Sequence, residues 1–436
     1  MIFLTKKLIS ISLFVLLSFS LFAQSSLKYG PRAKSLAGGG TALVENALWG
    51  NMNPGGQVFL GQKVGIGIEL GLFNNSYRVI GNPTEIEPSM SGMWPLGLNP
   101  GLMEAENKTN VVPQIAFNMN IDKNQSISIS IYGNGNRGVQ YESKTYYSPV
   151  IADLGSSEGF INPMGTVSSP TVFKFNQYFA SFTYSRKLGE KLGVGLSLIG
   201  AWQSLSIKGL EAFGSLNYSV HPEELTNNAA ANSFGAGGKL GVQWNISDKF
   251  QAGVTFRTKL WMNSFKSYKG FISTSGKMEI PSEWSIGLMY HPFERFKMML
   301  DVNRICYSGI PAWGLAMKQN NAVSLGDDNG GGFGRTDQMN YKFGVQYRIP
   351  KWSFRAGYQH SDLTLADTEA LLNILMPDII TDYVAFGLSR KIGKQTISFS
   401  VIKGFENVFT GENGLDSKQF IELKSDMWNF EIAVEF

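Results

Sequence analysis

The chain has 436 residues, a formal net charge of +4 and one cysteine, Cys306. These exclude an intramolecular disulfide framework, and with no basic tract they exclude the electrostatic footprint of a nucleic-acid binder. Only 17% of residues are charged, whereas 49 are Gly, 30 Phe, 16 Tyr and 9 Trp, a composition suited to strands that face lipid on one side and water on the other.

At the N-terminus Lys6 and Lys7 precede an apolar run from Leu8 to Phe22, which ends at Ala23-Gln24. This is the layout of a secretory signal peptide over residues 1–23. The run is shorter than the ~20 residues a spanning helix needs, and no cysteine follows it to carry a lipid anchor. Beyond it no stretch approaches 18 uninterrupted apolar residues. An exported chain of this kind ends in a soluble compartment or in an outer-membrane barrel.

Residues 24–62 include "YGPRAKSLAGGGTALVENALWGNMNPGG", which lacks strand alternation and holds a helix-compatible piece around Thr41–Trp49. Leu36, Leu43, Leu48 and Trp49 are too apolar for a solvated tail. A wide ring of strands leaves a hole unless something fills it, so this segment is predicted to be a plug inside the barrel.

From Lys63 to Phe436 the sequence is a series of alternating segments. "VGIGIELGL" puts Val64, Ile66, Ile68, Leu70 and Leu72 on one face, with Gly65, Gly67, Glu69 and Gly71 on the other. "QIAFNMNI" and "YKFGVQYRI" repeat the pattern, and the final "MWNFEIAVEF" sets Trp428, Phe430, Ile432, Val434 and Phe436 on one face. Period two means that the two faces meet different surroundings. Short joints near 121–124, 188–191, 246–249, 292–295, 349–351 and 391–395 alternate with long connections. The long ones span roughly 81–109, 143–171, 209–232, 263–279, 307–337, 363–380 and 407–425. That rhythm predicts an all-β, fourteen-stranded antiparallel transmembrane barrel over 63–436, with periplasmic turns at one rim and extracellular loops at the other.

Within "SISISIYGNGNRGVQY", Gly133-x-Gly135-x-x-Gly138 has the spacing of a dinucleotide-binding loop. That motif needs a helix after its glycines. "VQYESKTYYSP" is instead strand-like and then loop. Glycines inside a strand bend it or let it bulge.

The segment "GPRAKSLAGGGTALVENALWGNMNPGG" resembles the N-terminal hatch of the FadL/TodX-type outer-membrane transporters of long-chain fatty acids and other hydrophobic compounds. Asn53-Pro54 match that family's Asn-Pro-Ala motif, and Gly55 replaces the alanine. "VVPQIAFNMNIDKNQSISISIYGNGNRGVQY", with Pro113, and "EIPSEWSIGLMYHPFERFKMMLDVNRICY", with Pro281 and Asp301, resemble its second and third strands and its Pro-led and Asp-bearing strands. "FGVQYRIPKWSFRAGYQHS" and "PDIITDYVAFGLSRKIG" resemble later hairpins. The resemblance implies a fourteen-stranded barrel, a hatch, and ligand passage at a kink in the third strand, here Gly133, Gly135 and Gly138. The aromatic last residue of the last strand is similar to the signal by which the barrel assembly machinery recognises its clients. Phe213 and Phe271 stand in the loops corresponding to the family's initial binding groove, and Trp94 in the first long loop is a further candidate substrate contact.

Little catalytic chemistry assembles. His221, His291 and His360 lie apart without metal-ligand spacing, Cys306 has outward parity, and Asp327 to Gly332 read as a solvated turn. The first long loop carries Met93, Trp94, Leu96, Leu98, Leu102 and Met103, and the sixth carries Leu371, Leu372, Ile374, Leu375 and Met376. Such apolar loops seal the mouth by packing on one another, or offer an exposed landing surface for a poorly soluble molecule. Arg257, Lys342, Arg348 and Arg355 have inward parity and are candidates to meet a ligand carboxylate. The expectation is a monomeric, non-enzymatic protein without cofactor in the outer membrane of a Gram-negative bacterium, with membrane lipid around it. It passes hydrophobic small molecules, captured at the loops and released sideways near strand three. A barrel docking to a protein secretion system is the alternative.

Overall fold

The computed structural model describes residues 30–84, 95–135, 137–142, 145–146, 170–317 and 324–436. The signal peptide and Trp94 lie outside these described residues.

Alternation produces strands throughout. Counting two-part strands once, they are β1 (Lys63–Ile80), β2 (Gly101–Glu104 and Thr109–Asn120), β3 (Gln125–Gly133 and Arg137–Tyr141), β4 (Thr171–Leu188) and β5 (Leu192–Lys208). Next come β6 (Ala231–Asn245), β7 (Phe250–Arg257 and Trp261–Met262), β8 (Glu283–Phe293), β9 (Phe296–Ile305) and β10 (Gln338–Arg348). The last four are β11 (Trp352–Ser361), β12 (Asp382–Ile392), β13 (Gln395–Glu412) and β14 (Phe420–Glu435). Each pairs antiparallel with the next, and β14 returns to β1 from Gly65↔Glu435 to Ile80↔Phe420. The ring is a closed fourteen-stranded antiparallel barrel, and closure removes every free sheet edge at the seam.

The outward rows are those expected from period two. Ile68, Leu198, Leu300, Phe386 and Ile432 are all exposed on the outer surface, while Gly67, Glu69 and Gly71 between the apolar residues of β1 are buried. An apolar belt around a whole molecule is incompatible with water and fits a hydrocarbon surround. The six short turns fall where the joints were read. The seventh long connection is shorter than expected, because β13 and β14 extend to Glu412 and from Phe420.

The interior has two layers. Toward the rim with short turns the inward side chains are polar, such as Ser126, Ser128, Thr183 and Ser185. Toward the long-loop rim they become apolar, with Val139, Tyr141, Phe173, Phe175, Leu205 and Ile207 in one cluster with the loops. The segment from Gly30 to Leu60 lies inside the polar layer, almost entirely buried. It holds one helical turn, Pro31–Lys34, and two 3-10 turns, Trp49–Asn51 and Pro54–Phe59. The helix expected around Thr41–Trp49 does not form. This stretch follows three consecutive glycines, two of them at positive φ, Gly38 at 71° and Gly40 at 117°, and helices disfavour both features. Its backbone is instead held by the wall.

Candidate functional site: the luminal segment, the broken third strand and the apolar chamber

The luminal segment is fixed to the barrel in two ways. The first is close backbone approach. Asn53 is fully buried; its side-chain oxygen accepts from the Gly55 N–H at 2.9 Å, and its amide donates to the carbonyls of Thr41 at 2.7 Å and Val242 at 3.0 Å. Pro54 follows at the first position of a 3-10 turn, where its missing N–H costs nothing. A Cβ on Gly55 would lie 2.6 Å from the Gly193 carbonyl oxygen and 2.8 Å from the Gly241 oxygen, and one on Gly195 would lie 2.4 Å from the Pro54 carbonyl carbon. Wall glycines on β5 and β6 therefore make the groove that takes Asn53-Pro54-Gly55. Gly253 and Gly287 do the same for Thr41 and Ala42, and Gly357 and Gly387 for Ser35–Ala37.

The second is charge. Lys34 Nζ is 2.5 Å from Glu69 and 3.2 Å from Glu431. Arg32 reaches Glu435 at 3.4 Å. Asp301 accepts from the backbone N–H groups of Gly40 and Thr41 at 2.7 and 2.8 Å, and from the Thr41 hydroxyl at 2.9 Å. Glu45 gathers Lys297 and Arg348 at 2.8 Å each and Arg355 at 3.7 Å. Burial by itself raises the Glu45 carboxyl, but these three cations outweigh it and hold the group well below the usual carboxylate range. Burial likewise acts to lower Lys34, and its two carboxylate partners reverse the sign, so its ammonium is raised.

The third strand is interrupted where its glycines stand. The β2–β3 ladder runs from Asn120↔Ser126 to Ile115↔Ile131 and ends there. β3 stays paired with β4 up to Gly133↔Tyr178 and resumes at Arg137↔Phe175, four residues on one side against three on the other, the count of a bulge. Gly135 and Gly138 have φ of 97° and 139°, a conformation glycine adopts without penalty. Across the gap β2 continues as Thr109 to Gln114, paired among the described residues with β1 alone. Pro113 sits in this stretch, and a proline is tolerated where one strand edge is unpaired. Beyond the gap the tip of β3 is tied back, Glu106 N–H donating to the Gln140 carbonyl at 2.9 Å. The break is a window in the hydrogen-bond ladder, bounded at both ends. Behind it lies a cavity of about 20 Å³, room for one water, between Asn134 and Gln177 on one side and Tyr307 and Trp313 on the other.

Above the luminal segment the loops close on an aromatic core. Phe175, Trp313, Phe333 and Phe173 contact in succession with ring centroids 5.7–6.0 Å apart. Phe271 joins Phe173 at 6.1 Å, and Phe213 joins Tyr146 at 4.9 Å. Phe213 and Phe271 are thus brought into one chamber, both buried. Leu371, Leu372, Ile374, Leu375 and Met376 are buried in the same cluster, as are Leu96 and Leu98, so an exposed landing surface at these residues is not what forms. Burying them against the barrel mouth removes more apolar area from water than exposure would. Among the described residues of the first-loop set, Leu102 alone is strongly exposed.

The four inward cations are all engaged. Arg348 and Arg355 hold Glu45, Lys342 donates to the Gly38 carbonyl at 3.0 Å, and Arg257 pairs with Glu283 at 3.4 Å beside the window. Arg335, which sequence reasoning passed over, is buried in the chamber wall, donating to Asn373 Oδ1 at 3.0 Å and the Met376 carbonyl at 2.9 Å. Glu45 was also passed over; the signal was a lone acid in a segment of small residues. His360 contacts Asp382 at 2.9 Å on the outer surface, and Asp327 caps its own turn through Asn329.

The model of the family described as outer membrane protein transport protein (OMPP1/FadL/TodX) matches residues 101–424. A search of curated proteins finds no match. Among solved structures, the P. putida toluene transporter TodX superposes with a TM-score of 0.64 at 16% identity, covering 94% of this chain and 98% of that one. A Pseudomonas aeruginosa FadL homologue gives 0.66 at 11% identity, with 96% and 99% covered. The Ralstonia pickettii toluene transporter TbuX gives 0.56 at 16%, with 94% and 98% covered. At these identities the structural matches carry the fold alone. With the family match over most of the chain, the closed barrel and its apolar belt, the protein belongs to the OMPP1/FadL/TodX family of outer-membrane transport proteins.

Proposed function

We propose that this barrel passes hydrophobic small molecules, long-chain fatty acids among them, into the outer membrane by diffusion, without covalent chemistry. A ligand captured among the loops enters the chamber around Phe213, Phe271 and Trp313 and leaves sideways through the window between β2 and β3. Each stage keeps apolar surface out of water, at about 25 cal/mol per Å². The luminal segment blocks the straight aqueous path, so the lateral one is favoured. One observation carries this reading: the wall's hydrogen-bond ladder stops at Ile115↔Ile131, and the cavity behind the stop reaches chamber residues Tyr307 and Trp313.

The test is uptake of radiolabelled oleate and of toluene by cells whose own outer-membrane route has been deleted, with and without this protein. Saturable uptake of either compound above the empty-vector level is expected. Uptake equal to the vector control for both, with the barrel inserted, would leave the docking role as the better account.

A further inference from the structure

Six short turns line the rim where the chain termini of the barrel meet. Four of them pair one acid with one base: Asp122 with Lys123, Glu190 with Lys191, Asp248 with Lys249, and Glu294 with Arg295. The remaining two carry bases alone, Lys351 in one and Lys391 and Lys394 in the other. These two turns border the same opening. A cavity of about 660 Å³ lies between them and the luminal segment.

The lining of this cavity is unbalanced. It holds seven cationic side chains against two carboxylates, Glu45 and Glu435. Both carboxylates are oversubscribed: Glu45 serves Arg348 and Arg355 while already bound to Lys297, and Glu435 serves Arg32 and Lys63, each at 3.4 Å. Among the described residues no ion pair reaches Lys351, Lys391 or Lys394. Like charges gathered in a concave, partly desolvated site raise the local positive potential and draw anions. The luminal segment adds apolar side chains to the same cavity, Val44, Phe59 and Leu60.

We propose that this vestibule is a binding site for an anionic head on an apolar stem, a phosphate or carboxylate borne by an amphiphile. The head meets Lys351, Lys391 and Lys394, and the stem lies along Phe59 and Leu60. The site is separate from the chamber and the window, and it stands whether or not the lumen conducts.

The experiment uses the full barrel in a neutral detergent, with a reporter indole placed in the cavity by Leu60→Trp, and follows its quenching by bromine-labelled dodecyl phosphate. A chain retaining Leu60 identifies the signal from that indole. The variant K351Q/K391Q/K394Q alters only rim lysines that make no ion pair with the luminal segment, and heat-modifiable gel mobility verifies its fold. Expected is at least a tenfold loss of affinity in the triple variant, with a salt dependence in the parent that the variant lacks. Competition then separates the sources: short-chain phosphatidylglycerol displacing the probe better than decanoate assigns a lipid headgroup, and the reverse assigns a free carboxylate. Displacement by inorganic phosphate alone, as strong as by either amphiphile, would remove the stem from the proposal. Equal affinity in parent and triple variant, or equal displacement by neutral dodecyl maltoside, would overturn it.

Discussion

Val112 and Gly133 face each other at the point where the β2–β3 ladder has ended: a Cβ built on Gly133 lies 3.8 Å from Cβ of Val112. That separation is the usual one for a disulfide, and Gly133 does not require a positive φ, so cysteine fits its backbone. In a Cys306→Ser background, Val112→Cys/Gly133→Cys is expected to cross-link and to pin the edges of the window. Uptake of the transported compound should fall about tenfold when oxidised and return on adding reductant. Unchanged uptake in the oxidised protein would place the exit elsewhere.

Gly55 stands where the resembling family has alanine, and the wall leaves no space for the methyl. Three backbone atoms, on Gly193, Gly241 and Gln243, lie within 2.8 Å of the Cβ site. Gly55→Ala should cost roughly 1–3 kcal/mol, the usual penalty for overpacking against something that cannot move. Thermal unfolding in detergent would register it, and limited proteolysis should cut residues 30–60 sooner. An unchanged melting temperature and digestion pattern would mean that the segment shifts freely in its groove.

Glu45 holds its charge because Lys297, Arg348 and Arg355 surround it. Its carboxyl is depressed in the folded protein, so the folded state binds fewer protons than the unfolded chain below the ordinary value of about 4.5. The stabilisation is complete above that pH and is lost progressively as pH falls below it. Protease resistance of the luminal segment, measured from pH 7 down to pH 3, should decline in the acid range. Glu45→Gln should abolish that slope and weaken attachment at neutral pH by about 3 kcal/mol, mainly the cost of leaving the buried Arg355 without its partner, since Arg348 is exposed. A parental slope that persists in the variant would assign it to other carboxylates.

Arg335 binds the loop carrying Asn373 and Met376 to the loop carrying Phe333, whose carbonyl accepts from Asn373 at 2.8 Å. Arg335→Met keeps the volume and removes the donors. Hydrogen exchange should speed up across 364–381 while the strands stay protected, each lost charge-assisted bond being worth about 1.5–3 kcal/mol. Exchange limited to residue 335 itself would show that packing, not the guanidinium, closes the mouth.

The barrel was legible because period two leaves little choice. Val64, Ile66, Ile68 and Leu70 cannot face a water-filled lumen, and Gly65, Gly67 and Glu69 between them cannot face lipid. The interruption of β3 was legible for the same reason, since Gly133, Gly135 and Gly138 weaken a strand whatever lies beside it. The purpose of the wall glycines was not. Gly193, Gly195, Gly241 and Gly253 look in sequence like any lumen residue, and their role appears only when Pro54 and Thr41 are placed against them. The same limit applies to Leu371–Met376: apolar loop residues look alike whether they await a ligand or pack on one another. Their partners, Tyr141 and Tyr146, lie more than two hundred residues away.

Arg32, in the first stretch described, finds its carboxylate on β14, Glu435, 403 residues further along the chain, and Lys34 is shared between Glu69 on β1 and Glu431 on β14. Nothing synthesised earlier than the last strand can neutralise both of them. The stopper and the final staple of the ring are therefore a single event in assembly, and a chain truncated before Glu431 would leave Arg32 without its carboxylate in a vessel it could not shut.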